Sequence, residues 1–200
     1  MPRTDYPIKL FRDLKSWESW LAKHWARKPG LWLRIAKKAS GLRSVNYAEA
    51  VEAALCHGWI DGQRLAHDAR TFLQKFTPRR PRSIWSRINC EKVEALIAAG
   101  RMRHGGHAAV AAAKADGRWH AAYHPQRRAR MPRELARALA ARPKAKAFFA
   151  TLSSQNRYAI LFRITTAKKP ETKTRRIVEF VAMLERGETL HPQRRTPGPA

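Results

Sequence analysis

Four arginines occur within fourteen residues, in the segment FTPRRPRSIWSRIN at 76–89, which we call the arginine-rich segment. Each guanidinium group is a planar fork that can bind a carboxylate or a phosphate through two parallel hydrogen bonds. Pro78 and Pro81 restrict the backbone, so less conformational entropy is lost when these side chains are fixed around an anion. The segment therefore predicts an anion-binding site. Its arginines are Arg79, Arg80, Arg82 and Arg87.

The sequence offers two interpretations of these arginines. Ser83 or Ser86 can cap a helix that runs to about Ala99, and a start near Ser83 would add free backbone N–H groups and a positive helix end to the anion site. The alternative is structural: the arginines pair with nearby acids, or stack on tryptophans, and so fasten a turn. The candidate partners are Asp61, Glu91, Glu94, Trp59 and Trp85.

The motif WIDG, residues 59–62, is the candidate for catalytic chemistry. Asp61 follows two apolar residues and precedes a flexible glycine, and a half-buried carboxylate of this kind can act as a general base. An aspartate in this setting also closes an Asx-turn or pairs with an arginine. If the motif and the arginine-rich segment lined one pocket, Trp59, Asp61 and Trp85 would form its walls around a carboxylate or phosphate ligand.

Two further groups of basic residues are candidates for anion contact. Lys37 and Lys38 are adjacent in the chain, and Arg175 and Arg176 belong to the segment AKKPETKTRR at 167–176. The two arginines fall near the start of a predicted helix, where they oppose the positive end of the helix dipole. An anion bound nearby would relieve that repulsion.

Four histidines are spaced as H-x2-H-x12-H-x3-H, which resembles the ligand spacing of a small zinc module. No cysteine belongs to the pattern, and the residues between the two pairs favour a helix, so the sequence predicts no metal site and no cofactor. The only cysteines, Cys56 and Cys90, are too few for a disulfide framework and are expected to be buried thiols. The four histidines are His104, His107, His120 and His124.

The chain is strongly basic, with 41 Lys and Arg against 15 Asp and Glu in 200 residues and a formal net charge of +26. Such a charge is typical of proteins that bind a polyanion, although compositional drift toward arginine would also produce it. The 44% of apolar residues excludes an intrinsically disordered protein. No apolar run is long enough for a transmembrane segment or a signal peptide, so we expect a cytoplasmic protein.

Hydrophobic periodicity predicts an α+β fold, a predominantly α-helical single domain with one small β-hairpin near residues 59–77. Ser16 is the expected cap of the first helix, and Ser153 or Ser154 that of a later one. Residues 30–40 are compatible with either a strand or a helix. We expect a globular domain over residues 1–187 and a basic, proline-rich, disordered tail over 188–200.

Five sequence blocks resemble the YdeI/OmdA family of bacteriocin-protection, YdeI or OmpD-associated proteins. The resemblance implies a compact bacterial domain associated with tolerance of antimicrobial peptides, and it supplies no catalytic residues. Many such peptides are cationic and would be repelled by a +26 chain, so any protection is expected to be indirect. The blocks are ALCHGWIDGQ at 54–63, FTPRRPRSIWSRIN at 76–89, GRM at 100–102, GRWHAAY at 117–123 and AKKPETKTRRI at 167–177.

Two functions follow from these residues. In the first, the arginine-rich segment binds the phosphates of DNA or RNA, with affinity that falls steeply with salt and little sequence preference. In the second, the domain is an enzyme or a small-molecule-binding protein with a concave pocket beside Asp61. A third interpretation places the function in a protein partner.

Overall fold

The computed structural model describes residues 6–26 and 29–193, and the chain divides into two compact units, Met1–Ala122 and Tyr123–Ala200. Eight α-helices, one 3-10 turn and four β-strands lie in the described residues. The predicted α+β class is confirmed. That residues 1–187 behave as one domain stays a prediction.

The first unit contains a four-stranded sheet and four helices. The strand order is β1-β2-β4-β3; β1 is parallel to β2, and the other pairs are antiparallel. The β3–β4 hairpin is the one predicted near residues 59–77, and the ambiguous segment 30–40 supplies strand β2. The elements are β1 Ile8–Lys9, α1 Leu14–His24, β2 Leu31–Ala36, α2 Tyr47–Cys56, β3 Trp59–Ala66, β4 Thr71–Pro78, α3 Arg87–Ala98 and α4 His104–Ala115.

Polar caps define where these helices begin. The expectation that Ser16 caps the first helix is wrong, because the Asp13 side chain accepts the Ser16 backbone N–H at 2.8 Å and Ser16 completes a capping box from inside the helix. Of the two serines proposed for α3, Ser86 is the cap and accepts the backbone N–H of Asn89 at 3.2 Å. The helix therefore begins after most of the arginine-rich segment.

The sheet has one face covered by helices and an opposite, outer face. Leu31 and Leu33 of β2 and Phe76 of β4 are fully buried in a core that also contains Trp17. Successive residues of a strand point to opposite faces, so Lys75, next to Phe76, lies on the outer face. This alternation decides which side chains of the hairpin can meet a ligand.

The second unit is a bundle of four helices with its own core. Leu135, Ile160, Ile164 and Leu184 are buried at its centre. Proline at the first position starts two of the helices without loss of a hydrogen bond, because the N–H that it lacks has no partner there. The elements are the 3-10 turn Gln126–Arg128, α5 Arg133–Ala140, α6 Pro143–Thr151, α7 Ser154–Thr165 and α8 Pro170–Glu185.

The first part of the predicted tail makes specific contacts with α7. The side chain of Asn156, 1% exposed, donates to the carbonyl of His191 at 3.0 Å and accepts the His191 backbone N–H at 2.9 Å. Ser153, which is the cap of α7, donates its own backbone N–H to the side chain of Gln193 at 2.9 Å. Residues 194–200 of the predicted tail lie outside the described residues.

Candidate anion-binding site

The four arginines of the arginine-rich segment have different surroundings. The guanidinium of Arg79 lies over the ring of Trp85, with Cζ 3.5 Å from the ring centroid, and donates to the carbonyl of Ile84 at 3.3 Å. Arg87 is half-buried and donates to the carbonyl of His120 at 3.4 Å. For Arg79 these contacts match the structural interpretation, while its binding of an anion stays a prediction.

Arg80 and Arg82 are exposed on a tight turn that follows β4. The backbone N–H of Ser83 donates to the Arg80 carbonyl at 2.9 Å, and the Ser83 hydroxyl accepts the Arg80 N–H at 3.0 Å. These two bonds close the turn and fix its backbone. Helix α3 begins only at Arg87. Its free backbone N–H groups and positive end are therefore not part of the turn, as they would be if the helix began near Ser83.

A cleft of about 250 Å³ lies between the turn, the hairpin and Tyr6, and we call it the hairpin cleft. Its two basic lining residues are Arg80 of the turn and Lys75 of β4. Among the described residues that line it, none is acidic. The lining residues are Tyr6, Gly62, Gln63, Lys75, Thr77, Pro78, Arg80 and Ser83.

Aromatic rings hold Lys75 in place. Its ammonium lies 4.2 Å from the centroid of the Tyr6 ring and 5.9 Å from that of Trp32, its directly paired neighbour on β2. The face of an aromatic ring attracts a cation without neutralising its charge. Within residues 6–26 and 29–193, neither Lys75 nor Arg80 forms an ion pair with a carboxylate.

The residues predicted to wall a pocket lie elsewhere. Trp59 and Trp85 are 0% and 1% exposed and belong to the core of the first unit. Asp61 pairs with Phe76 across the hairpin and therefore shares its helix-covered face, where it accepts the Tyr47 hydroxyl at 2.7 Å. Burial, followed by this hydrogen bond, raises the pKa of Tyr47. The hairpin and the arginine-rich segment do line one cleft, but through other residues; a catalytic role for Asp61 stays a prediction.

Lys37 and Lys38 lie at the opposite end of the sheet from the turn. The backbone N–H of Lys37 bonds Arg70, just before β4, while Arg80 comes two residues after β4 ends. The eight residues of β4 between them span about 23 Å from the first Cα to the last. The Lys37 ammonium donates to the carbonyl of Asp68 at 2.8 Å, so this pair belongs to a separate surface.

Arg175 and Arg176 lie in the second unit, on α8. Arg175 forms an exposed ion pair with Glu179 at 3.7 Å, and Arg176 donates to the carbonyl of Arg163 at the end of α7. Each thus has a partner on its own unit, and anion binding by either stays a prediction.

The described residues contain no group of three or more His, Cys, Asp or Glu side chains placed to hold a metal ion. His104 packs edge-on against Trp25, with ring centroids 5.6 Å apart. The two cysteines are buried and unpaired, as predicted, and burial raises the pKa of both thiols, that of Cys90 to about 11. A buried thiol with a raised pKa is a poor nucleophile.

Sequence reasoning missed Lys75, Tyr6, Thr77 and Ser83 as members of the site. A signal was present for Lys75 in the alternation of the strand sequence. Phe72 and Phe76 share one face of the strand, and Lys75 is a charged residue on the opposite face. Tyr6 carried no such signal, since its position follows from the parallel pairing of the two-residue strand β1 with β2.

Comparison with known families divides the chain at a similar place to the structure. Residues 9–109, just over half of the chain, match the family described as Domain of unknown function (DUF8412), and residues 128–187 match the family described as Bacteriocin-protection, YdeI or OmpD-Associated. The predicted resemblance to the second family is confirmed there, although four of the five blocks that carried it precede this match. No curated protein and no solved structure matches the chain.

None of the helices within residues 6–26 and 29–193 has the length and apolar character needed to cross a lipid bilayer.

Proposed function

We propose that the first unit binds a small anion in the hairpin cleft. The chain belongs to the DUF8412 family and carries a segment that matches the OmdA family. Neither family description names a ligand, so the proposal rests on the site itself. The anion is a phosphate or a carboxylate. One observation carries the proposal: Lys75 and Arg80 line the same cleft, and none of the other described residues that line it is acidic.

The electrostatic argument rests on where these two charges lie. Two cations brought into one concavity repel each other, and the repulsion raises the free energy of the empty site unless an anion lies between them. Elsewhere on the sheet, Arg34 of β2 is compensated by Asp68 at 3.1 Å. Lys75 and Arg80 have no such carboxylate partner among the described residues, so a bound anion would supply the compensation.

The size of the cleft favours a small ligand. Pockets for small molecules typically begin at about 300 Å³, and a cleft of about 250 Å³ suits one charged group with a short organic substituent. Binding a nucleic-acid backbone would instead use cations along an open stripe, and Lys37 and Lys38 lie at the far end of the sheet. Nucleic-acid binding stays a second prediction, supported by the exposed Arg82 outside the cleft.

Isothermal titration calorimetry with inorganic phosphate and with malonate tests the proposal. We expect one site per chain, and binding about tenfold or more weaker in Lys75→Gln and in Arg80→Gln, because each change removes a charge-assisted hydrogen bond. Arg103→Gln removes an exposed charge outside the cleft and should bind as the unaltered protein does.

A further variant, Gly62→Val, changes the shape of the cleft without altering its charge. Gly62 lies against the Lys75 side chain, and a Cβ at this position would meet it at an ordinary distance of 3.7 Å. Gly62 lines the cleft, so we expect Gly62→Val to weaken the binding of both anions by narrowing the cleft, and a circular dichroism spectrum like that of the unaltered protein checks that the variant is folded. Titrations in which neither anion binds, or in which Arg103→Gln weakens binding as much as Arg80→Gln does, contradict the proposal.

A further inference from the structure

The charges of the hairpin cleft call for a ligand with two negative charges. Lys75 and Arg80 supply two positive charges, and the other described residues that line the cleft are uncharged. A monoanion would leave one cation uncompensated in the concavity, whereas a dianion neutralises both. A phosphate monoester carries two negative charges and a single carboxylate carries one, so the two cations of the cleft favour the monoester.

Three residues that carry a hydroxyl group line the same cleft: Tyr6, Thr77 and Ser83. The hydroxyls of Tyr6 and Thr77 form no hydrogen bond with any group in the described ranges 6–26 and 29–193. The Ser83 oxygen accepts the Arg80 backbone N–H at 3.0 Å, so its proton remains available for a bond to a ligand. Three residues with a hydroxyl group thus line the cleft together with the two cations.

We propose that the group bound in the hairpin cleft is the dianion of a phosphate monoester, an inference that rests on the proposed function of this cleft. Its three terminal oxygens offer acceptors for the guanidinium fork, the ammonium and the hydroxyl protons. A carboxylate has only two oxygens. The diester of a nucleic-acid backbone carries one charge and two unesterified oxygens, so it matches the cleft less well.

The experiment compares four probes at pH 8 by calorimetry with the full chain: methyl phosphate, methyl sulfate, acetate and malonate. Methyl phosphate is a dianion at this pH, since the second pKa of a phosphate monoester is about 6. Methyl sulfate has the same shape and one charge, while malonate has two charges on separate carboxylates. Methyl phosphate should bind about tenfold or more tightly than each of the other three.

The outcomes distinguish this inference from the function on which it rests. If malonate or methyl sulfate binds as tightly as methyl phosphate, the monoester is overturned and the anion cleft stands. If no probe binds, both are overturned. A preference for methyl phosphate that is lost in Arg80→Gln supports both.

The variant Thr77→Val tests the hydroxyl groups separately from the charges. Valine keeps the methyl group and the shape of threonine but cannot donate a hydrogen bond. We expect it to weaken methyl phosphate about fivefold, as the loss of one hydrogen bond of about 1 kcal/mol would do, and to change acetate binding less. An equal loss for both probes, or none for methyl phosphate, would contradict a role for this hydroxyl group.

Discussion

Arg79 shows how a single cation of the arginine-rich segment contributes to the fold. Its guanidinium stacks on the buried ring of Trp85, and that ring also packs against Trp119 with centroids 4.9 Å apart. Arginine suits this place because its planar, weakly hydrated group packs against an aromatic face and still donates to a carbonyl. Arg82, three residues later, is exposed and does not share this environment.

The contrast predicts different effects on stability. Arg79→Ala should lower the free energy of unfolding by about 1–3 kcal/mol, because it removes a cation–π contact and a hydrogen bond to the Ile84 carbonyl. Arg82→Ala should change it by less than about 0.5 kcal/mol. Urea denaturation of both variants makes the comparison, and equal losses would show that Arg79 does not fasten the turn.

Asp68, in the turn between β3 and β4, makes stability depend on pH. A hydrogen bond with the Thr71 side chain, the backbone N–H groups of Arg70 and Thr71, and the charge of Arg34 lower its pKa to about 2. In the unfolded chain an aspartate has a pKa of about 4. The folded state therefore gains stability from Asp68 above about pH 4, and loses it as the pH falls toward 2.

The variant Asp68→Asn isolates this carboxylate, because asparagine keeps one acceptor oxygen and has no charge to titrate. Urea midpoints at pH 5 and pH 2.5 should lie closer together in the variant than in the unaltered protein. An unchanged difference between the two midpoints would assign the acid sensitivity of the first unit to other carboxylates.

At the scale of elements, helices α2 and α4 touch through their backbones. A Cβ at Gly106 would lie 2.3 Å from the carbonyl oxygen of Cys56, and one at Gly58 would lie 2.4 Å from that of Gly105. The backbone N–H of Arg103 donates to the same Cys56 carbonyl at 3.0 Å. The start of α4 thus satisfies a carbonyl that the end of α2 leaves open, and glycine permits the approach.

Replacement of Gly106 by alanine should therefore destabilise the first unit. Alanine favours a helix over glycine by about 1 kcal/mol, but the methyl group forces two backbones apart, and overpacking of this kind costs about 1–3 kcal/mol. Gly62→Ala is the matched control, since its nearest contact is 3.7 Å. Thermal unfolding followed by circular dichroism makes the comparison, and a Gly106→Ala protein as stable as the control would contradict the close contact.

Local sequence signals predicted most elements and missed those that depend on distant pairing. The alternation in TFLQKF predicted β4, and a serine before an apolar period predicted the starts of α3 and α7. Strand β1 has only two residues, too few for a periodic signal, and exists because it pairs with β2. One alternative drawn from the sequence was a pocket between the WIDG hairpin and the arginine-rich segment, and Arg80 was among the predicted anion-binding residues. Tyr6 and Lys75 were missed, because they meet only once β1, β2 and β4 lie side by side.

At the scale of the whole molecule, both units are equally basic. Residues 1–122 hold 23 basic and 10 acidic residues, and residues 123–200 hold 18 and 5, so each has a net charge of +13. The ion pairs that form are mostly exposed, as between Lys173 and Glu134 at 2.6 Å, and exposed pairs contribute at most about 1 kcal/mol each. Internal pairing therefore leaves a large excess of positive charge on each unit.

From this excess of positive charge we predict that the full chain binds duplex DNA through its phosphates. The logarithm of the affinity should fall linearly with the logarithm of the salt concentration, and Arg80→Ala/Arg82→Ala should reduce the slope by about two, one for each phosphate contact. Arg82→Ala alone separates the two functions, because it removes a cation that does not line the hairpin cleft. Its slope for DNA should fall by about one while methyl phosphate binds unchanged.

Fluorescence anisotropy of a labelled duplex at several salt concentrations measures these slopes, with Arg103→Ala as a charge-matched control. A slope that falls equally in Arg103→Ala and Arg82→Ala would mean that DNA contacts the charge of the whole surface and not this turn. The absence of binding at physiological salt would remove nucleic acid as a ligand. Anion binding in the hairpin cleft would then be the remaining explanation for the proximity of Lys75 and Arg80, because compositional drift toward arginine does not by itself place two cations in one cleft whose described lining residues include no acid.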